Sequence, residues 1–263
     1  MSALNNNTSL NNDLYAPLVA AAQYAAYETS IARQIATVFD MPANAGKVVQ
    51  VPVWSSVSAT TPEEGNAATF ADTDSTAKNI TLSEKVVAHR ISDMLRDSAY
   101  NDVLAQLGDQ SGRAIAEAID TEVFAEFANF STNLGSSGYE ITAADIFKAA
   151  ATLRARKLTG PFIGVFHPGA IYNLKKALTA TTAYTANTNV GNQALDSFYV
   201  GNIAGVQIYE SALVPDVSGD ALNGVFVPQA IGHSMRGSIR LETMRQAAYR
   251  ATCLLYTSDA ADE

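Results

Sequence analysis

The sequence predicts an α+β fold built around one long helix and a projecting two-stranded finger. Three observations predict it. Residues 46–90 hold two strand-like runs separated by a polar stretch that has almost no large apolar side chains. Residues 102–130 repeat apolar side chains at helical spacing, and residues 139–252 alternate short helices with buried-type strands.

Taken in order, Ser2–Asn12 reads as a polar flexible arm, and Asp13–Phe39 as an Ala-rich helix that breaks at Met41-Pro42-Ala43-Asn44-Ala45-Gly46. Lys47–Trp54 follows as a strand. Its Pro52 predicts an edge position, because proline cannot donate to a ladder. Residues 55–77 form a polar tip around Pro62-Glu63-Glu64-Gly65-Asn66, and Asn79–Arg90 returns as a second strand. A two-stranded ribbon of this kind is marginal alone in water, so something outside it must support it. Asp93–Ala99 is a short helix and Asp102–Phe130 a long one. Gly108 and Gly112 weaken its interior but permit close backbone packing.

Residues 131–139 are a linker by composition. Thr142 caps a helix running to Arg156, with Asp145 in its first turn. Phe162–Phe166 is a buried-type strand, and His167-Pro168-Gly169 turns it into a helix over Ala170–Leu178. Residues 179–193 read as a mobile loop. Residues 198–200, 206–209, 224–228 and 238–244 read as strands.

Cys253–Glu263 breaks the composition before it. The run Cys-Leu-Leu-Tyr-Thr-Ser-Asp-Ala-Ala-Asp is similar to the translation of a transposase end sequence used in sequencing-library preparation. That resemblance implies a non-native tail, with the native chain continuing past Thr252. Such segments are set aside before fold reasoning. Without its acids Asp259, Asp262 and Glu263, the net charge is −6 rather than −9.

The composition excludes several function classes. No apolar run approaches the ~18–20 residues of a spanning helix, and Met1–Asn7 has no secretory-signal pattern. The chain is acidic and lacks a basic cluster, whereas nucleic-acid readers depend on Lys and Arg neutralising phosphates. Cys253 is the sole cysteine, so an intrachain disulfide and a multi-Cys zinc site are both excluded.

No catalytic, cofactor-binding or metal site is expected. Gly232-His233-Ser234-Met235-Arg236 departs from the Gly-x-Ser-x-Gly elbow at Arg236. A strand-like run follows where the elbow needs a helix, and no histidine comes after His233. His89, His167 and His233 stand singly, without the converging ligands that a metal requires. Gly135-Ser136-Ser137-Gly138 lacks the Lys-Ser/Thr of a phosphate loop. Glu63 and Glu64 lie on the polar tip, with no apolar wall to perturb them.

The order of elements resembles the major capsid proteins of tailed bacteriophages, whose Hong Kong 97-type fold is shared by encapsulin shells. The residues carrying the likeness are Gly46–Trp54 and Asn79–Arg90 as the extended loop, and Ile91–Ser98 leading into the spine helix. Gly164–Pro168 and Val200–Tyr209 correspond to the axial domain, and Gly224–Gly232, running on to Arg250, to the return into the peripheral domain. The resemblance implies an N-terminal arm and helix at 1–45, an extended loop at 46–90, a peripheral domain at 91–138 and an axial domain at 139–222. Residues 223–252 would return to the peripheral domain, leaving 253–263 as the tail.

It implies a non-enzymatic shell subunit that assembles with itself into hexamers and pentamers around double-stranded DNA, in the host bacterial cytoplasm. Scaffolding, portal and decoration proteins would be the other partners. The loop lysine used for covalent crosslinking in some relatives has no counterpart in residues 55–77, so that chemistry is not carried over. Two alternatives remain: an encapsulin-like compartment shell, and an α/β enzyme with its active site in a missing C-terminus. Physics favours a shell, since a finger without a core is costly to order unless neighbouring subunits cover it.

Overall fold

A computed structural model of the chain describes residues 19–20, 22–26, 30–41, 46–61, 64–65, 67, 70–98, 103–179, 201–217 and 219–262. Residues 22–26 are helical, as the alanine pattern predicts, and Ala32–Ile35 adds a single turn, α1. The helix expected to continue to Phe39 stops there. Thr37–Asp40 is instead a strand, β1, which pairs in parallel with Gly232–Met235. Thr37 and Val38 are β-branched and suit extended backbone.

The ribbon consists of β2 (Val48–Trp54) and β3 (Ser75–Thr81), paired from Val48 opposite Thr81 to Trp54 opposite Ser75. Neither strand joins another sheet, which suits Pro52. The second strand expected at Asn79–Arg90 is in fact two. The chain leaves the ribbon at Leu82, whose N–H donates to Lys47 O at 2.8 Å, and β4 (Ser83–Ser92) joins a larger sheet.

Next come α2 (Asp93–Ser98) and α3 (Val103–Ala125), a rod of roughly 35 Å at ~1.5 Å per residue, continued by a 3-10 turn at Glu126–Asn129. Helix α4 (Ala143–Ala155) begins where the sequence predicts. The Asp145 carboxylate accepts from the Thr142 N–H at 2.9 Å and from its hydroxyl at 2.7 Å. Then follow β5 (Phe162–Phe166) and α5 (Pro168–Thr179). The expected loop at 179–193 lies outside the described residues apart from Thr179, and the expected strand at 198–200 lies outside them entirely. The remaining strands are β6 (Asn202–Ile203), β7 (Val206–Glu210), β8 (Asp216–Val217), β9 (Asp220–Ala221), β10 (Gly224–Phe226), β11 (Gly232–Met235), β12 (Arg240–Gln246) and β13 (Ala251–Asp262).

Two sheets organise the body. One runs β10-β5-β7-β6. Its strand β5 is buried along its whole length, because the two faces feed different cores. Phe162 and Phe166 pack with Ile146, Ile171, Leu174 and Ile208, beside α4 and α5. Ile163 and Val165 point the other way, into a cluster with Ile115, Ile119, Phe124 and Phe127 from α3 and its extension. A strand covered on both faces reads as an unbroken apolar run, as this one does.

The second sheet runs β1-β11-β13-β12, with β4 along the other side of β13. Helix α3 crosses it, tied by a Lys85–Glu122 ion pair and by His89 Nε2 against Ser111 Oγ at 2.9 Å. Residues 253–262, set aside on sequence grounds, therefore form most of an interior strand, with Leu254 and Tyr256 fully buried. The Tyr256 hydroxyl is buried, with no hydrogen-bond partner among the described residues.

Candidate functional site

Among the described residues, the candidates singled out in the sequence are scattered over separate elements. Ser234 lies within β11, and its hydroxyl donates to Phe39 O at 2.9 Å, a strand-to-strand tie and not an elbow. His233, beside it, is fully buried. His89 sits on β4 against Ser111, with the Tyr256 ring edge-on at 6.4 Å. His167 accepts from the Gly169 N–H at 3.2 Å, in the strand-to-helix turn the sequence predicts. Glu64 is exposed on the polar tip, while Glu63 lies outside the described residues. Among the described residues no group of three His, Cys, Asp or Glu could hold a metal ion, and no helix is long and apolar enough to cross a membrane.

The finger is the feature that stands apart from the body. Its root is apolar: Met41, Ile80 and Leu82 are buried, with Phe39, Val49 and Val51 packed on them. Further out the cover ends. Trp54 is 66% exposed and Phe70 98%, and Val53 and Val57 are exposed as well. The described residues of 55–74 are all exposed, although Ser55 and Asp74 extend the ladder by a further pair of hydrogen bonds. Large apolar side chains on a projecting ribbon form a surface to be covered by something else. Among the described residues, the outer finger covers no cleft: residues 55–61, 64–65, 67 and 70–74 are all exposed.

One buried acid has almost no signature in the sequence. Asp120 lies on α3 and is almost fully buried. It accepts from Ser30 Oγ at 2.7 Å, from the Ile31 N–H at 2.9 Å and from the Ala32 N–H at 3.1 Å. Burial pushes its carboxyl above the ordinary carboxylate value, against these hydrogen bonds and nearby His233, which pull it down. The only local hint was an acid on a helix that otherwise carries a long apolar stripe.

Gly112, by contrast, was legible. A Cβ there would fall 2.8 Å from the Ala22 carbonyl carbon and 2.9 Å from Ala22 Cα, so glycine lets the N-terminal helical segment lie directly on α3.

Comparison with known proteins bears on the whole arrangement. A family model described as phage capsid protein matches residues 74–252. No curated protein matches the sequence. The fold is similar to the capsid of cyanophage P-SCSP1u at a TM-score of 0.65 and 20% identity, over 89% of this chain and 84% of that one. It is also similar to a structure from Mycobacterium phage Che8, at 0.65 and 18% identity over 84% and 82% of the two chains. A third likeness is to the capsid of a native GTA particle, at 0.63 and 14% identity over 88% and 84%. At these identities the likeness shows a shared fold.

Proposed function

Because this chain belongs to the phage capsid protein family, we propose that it is the repeating subunit of a closed icosahedral shell around the double-stranded DNA of a tailed phage or a GTA particle. A capsid protein is a structural part of a virion, and the chain is not an enzyme. The observation that supports the finer reading is the finger: Trp54 and Phe70 are exposed among the described residues, and another copy lying beneath them would cover them. Repetition of such a contact by rotation closes a ring, and rings tile a shell. Function is then mechanical, and binding energy is summed over many interfaces.

In this reading hexamers and pentamers assemble in the host cytoplasm, and scaffolding, portal and decoration proteins are the further partners. The shell around α3 is the peripheral part, residues 91–138 and 223–252. Residues 139–222, around β5, are the axial part that meets at the symmetry axes. We also read residues 253–263 as a non-native tail, a reading supported by the family match running to Thr252. The description of the matched family favours a virion over an encapsulin-like compartment of the same architecture.

The test is electron microscopy and sedimentation of the chain beside a Trp54→Asp, Phe70→Asp double variant. Both side chains face solvent, so the variant should unfold within about 0.5 kcal/mol of the parent. The parent should form rings or shells, and the variant should remain subunit-sized. A uniformly monomeric parent, or a variant that assembles equally well, would overturn the proposal.

A further inference from the structure

Asp120 is 2% exposed. A buried carboxylate is costly unless its oxygens are satisfied, and these are satisfied from a segment 88–90 residues earlier in the chain. Oδ1 accepts from Ser30 Oγ and the Ala32 N–H, and Oδ2 from the Ile31 N–H. These backbone donors lie at the start of α1, where a single turn of helix has no internal acceptor for them. Helix α3 therefore supplies the side chain that closes the beginning of α1.

The chain runs from α1 directly into β1, where the Thr37 N–H donates to Ile231 O at 3.0 Å and the Thr37 hydroxyl to Pro228 O at 2.9 Å. Two residues of this same stretch, Phe39 and Met41, pack on Ile80, Leu82, Val49 and Val51 at the root of the finger. Gly232 lies where the three parts meet. A Cβ there would fall 3.0 Å from the Ile80 side chain and 3.2 Å from the Phe39 ring.

We infer that Asp120 is the positioning residue that seats the finger: α3 grips residues 30–32, residues 30–41 act as a strap, and the strap supplies part of the root on which β2 and β3 stand. The inference concerns contacts within one chain and deepens the shell reading without depending on it. Its test can therefore fail while shells still form, and can succeed where they do not.

The test is amide hydrogen exchange on the full chain, comparing the parent with Asp120→Asn and Ser30→Ala. Asparagine keeps the size of aspartate but replaces one acceptor by an amide that must face a donor. In Asp120→Asn, exchange over 30–41 and over the root at 47–51 and 78–82 should rise together by about tenfold or more. Residues 103–116 of α3 should not change. Ser30→Ala removes one donor and leaves the charge, so it should give a smaller rise with the same pattern. It also decides the matter if the asparagine variant does not fold. Loosening confined to 30–36 would mean that β1 alone anchors the root, and would overturn the inference. A uniform rise that includes α3 would make Asp120 a general stabiliser and overturn it equally.

Discussion

Gly112→Ala sets helix propensity against packing. In an open helix interior, alanine is better than glycine by about 1 kcal/mol, so the change would normally stabilise. At Gly112 the new Cβ would meet Ala22 Cα at 2.9 Å and its carbonyl carbon at 2.8 Å, with the carbonyl oxygen closer still. Carbon atoms rest at roughly 3.5–4.0 Å, so the Ala22 backbone must retreat by almost 1 Å. A backbone cannot rotate out of the way as a side chain can. Ala22 is fully buried in the cluster that holds Ile115 and Ile119, so its retreat also opens packing around them. Overpacking of this kind costs about 1–3 kcal/mol, and subtracting the propensity gain leaves a net loss of about 0–2. Urea unfolding should show a lower midpoint at an unchanged slope. Stabilisation by about 1 kcal/mol would refute the reasoning, because it would mean that nothing rests on α3 at Gly112.

Two further substitutions follow from the packing and the caps. Phe127 is surrounded by Phe124, Phe130 and Phe226 at ring-centroid distances of 5.5, 5.4 and 5.6 Å. Phe127→Ala should therefore cost about 3–5 kcal/mol in chemical denaturation, and a loss below 1 would show that the ring is not a keystone there. Burial alone would raise the Asp145 carboxyl, but the hydrogen bonds from Thr142 outweigh it and hold the group below its ordinary value of 3.8. Its contribution is therefore present above pH 3.8 and is lost as the pH falls through the lower folded value. Asp145→Ala should cost about 0.3–1 kcal/mol at neutral pH, and the gap to the parent should close in acid. A gap of equal size at pH 3 and pH 7 would contradict this, on the ordinary carboxylate scale of about 4.

What the sequence discloses is what short-range pattern can disclose. The long helix, the Thr142–Asp145 cap, the buried strand Phe162–Phe166 and the ribbon with Pro52 all carry local signals, and the structure holds each of them. The misses share a cause: a strand's partner is not written in the strand. The alternation slips by one residue at Ser83-Glu84, so that Ile80 and Leu82 are covered in one phase and Val87, His89 and Ile91 in the other. This slip is the local mark of the change of sheets at Leu82, but a single displaced acid is too small a signal to end a strand. β1 continues the helical pattern before it because its parallel partner, Gly232–Met235, is far away in sequence, and that partner lies within the five residues Gly232–Arg236 that resemble a catalytic elbow. Asp120 gives no local signal for the same reason, since its three donors come from residues 30–32. The exposed finger was the most legible part of the functional surface, because an absence of core is a property of composition.

The footing of the finger draws on Phe39 and Met41 from before it, Ile80 and Leu82 from its far end, and Gly232 from much later in the chain. A chimera that exchanged only residues 48–81 between two relatives would carry over a lever without its fulcrum. Natural recombination at the finger's ends should meet the same obstacle, so the unit that can be traded is the lever together with the distant pieces that bear its weight.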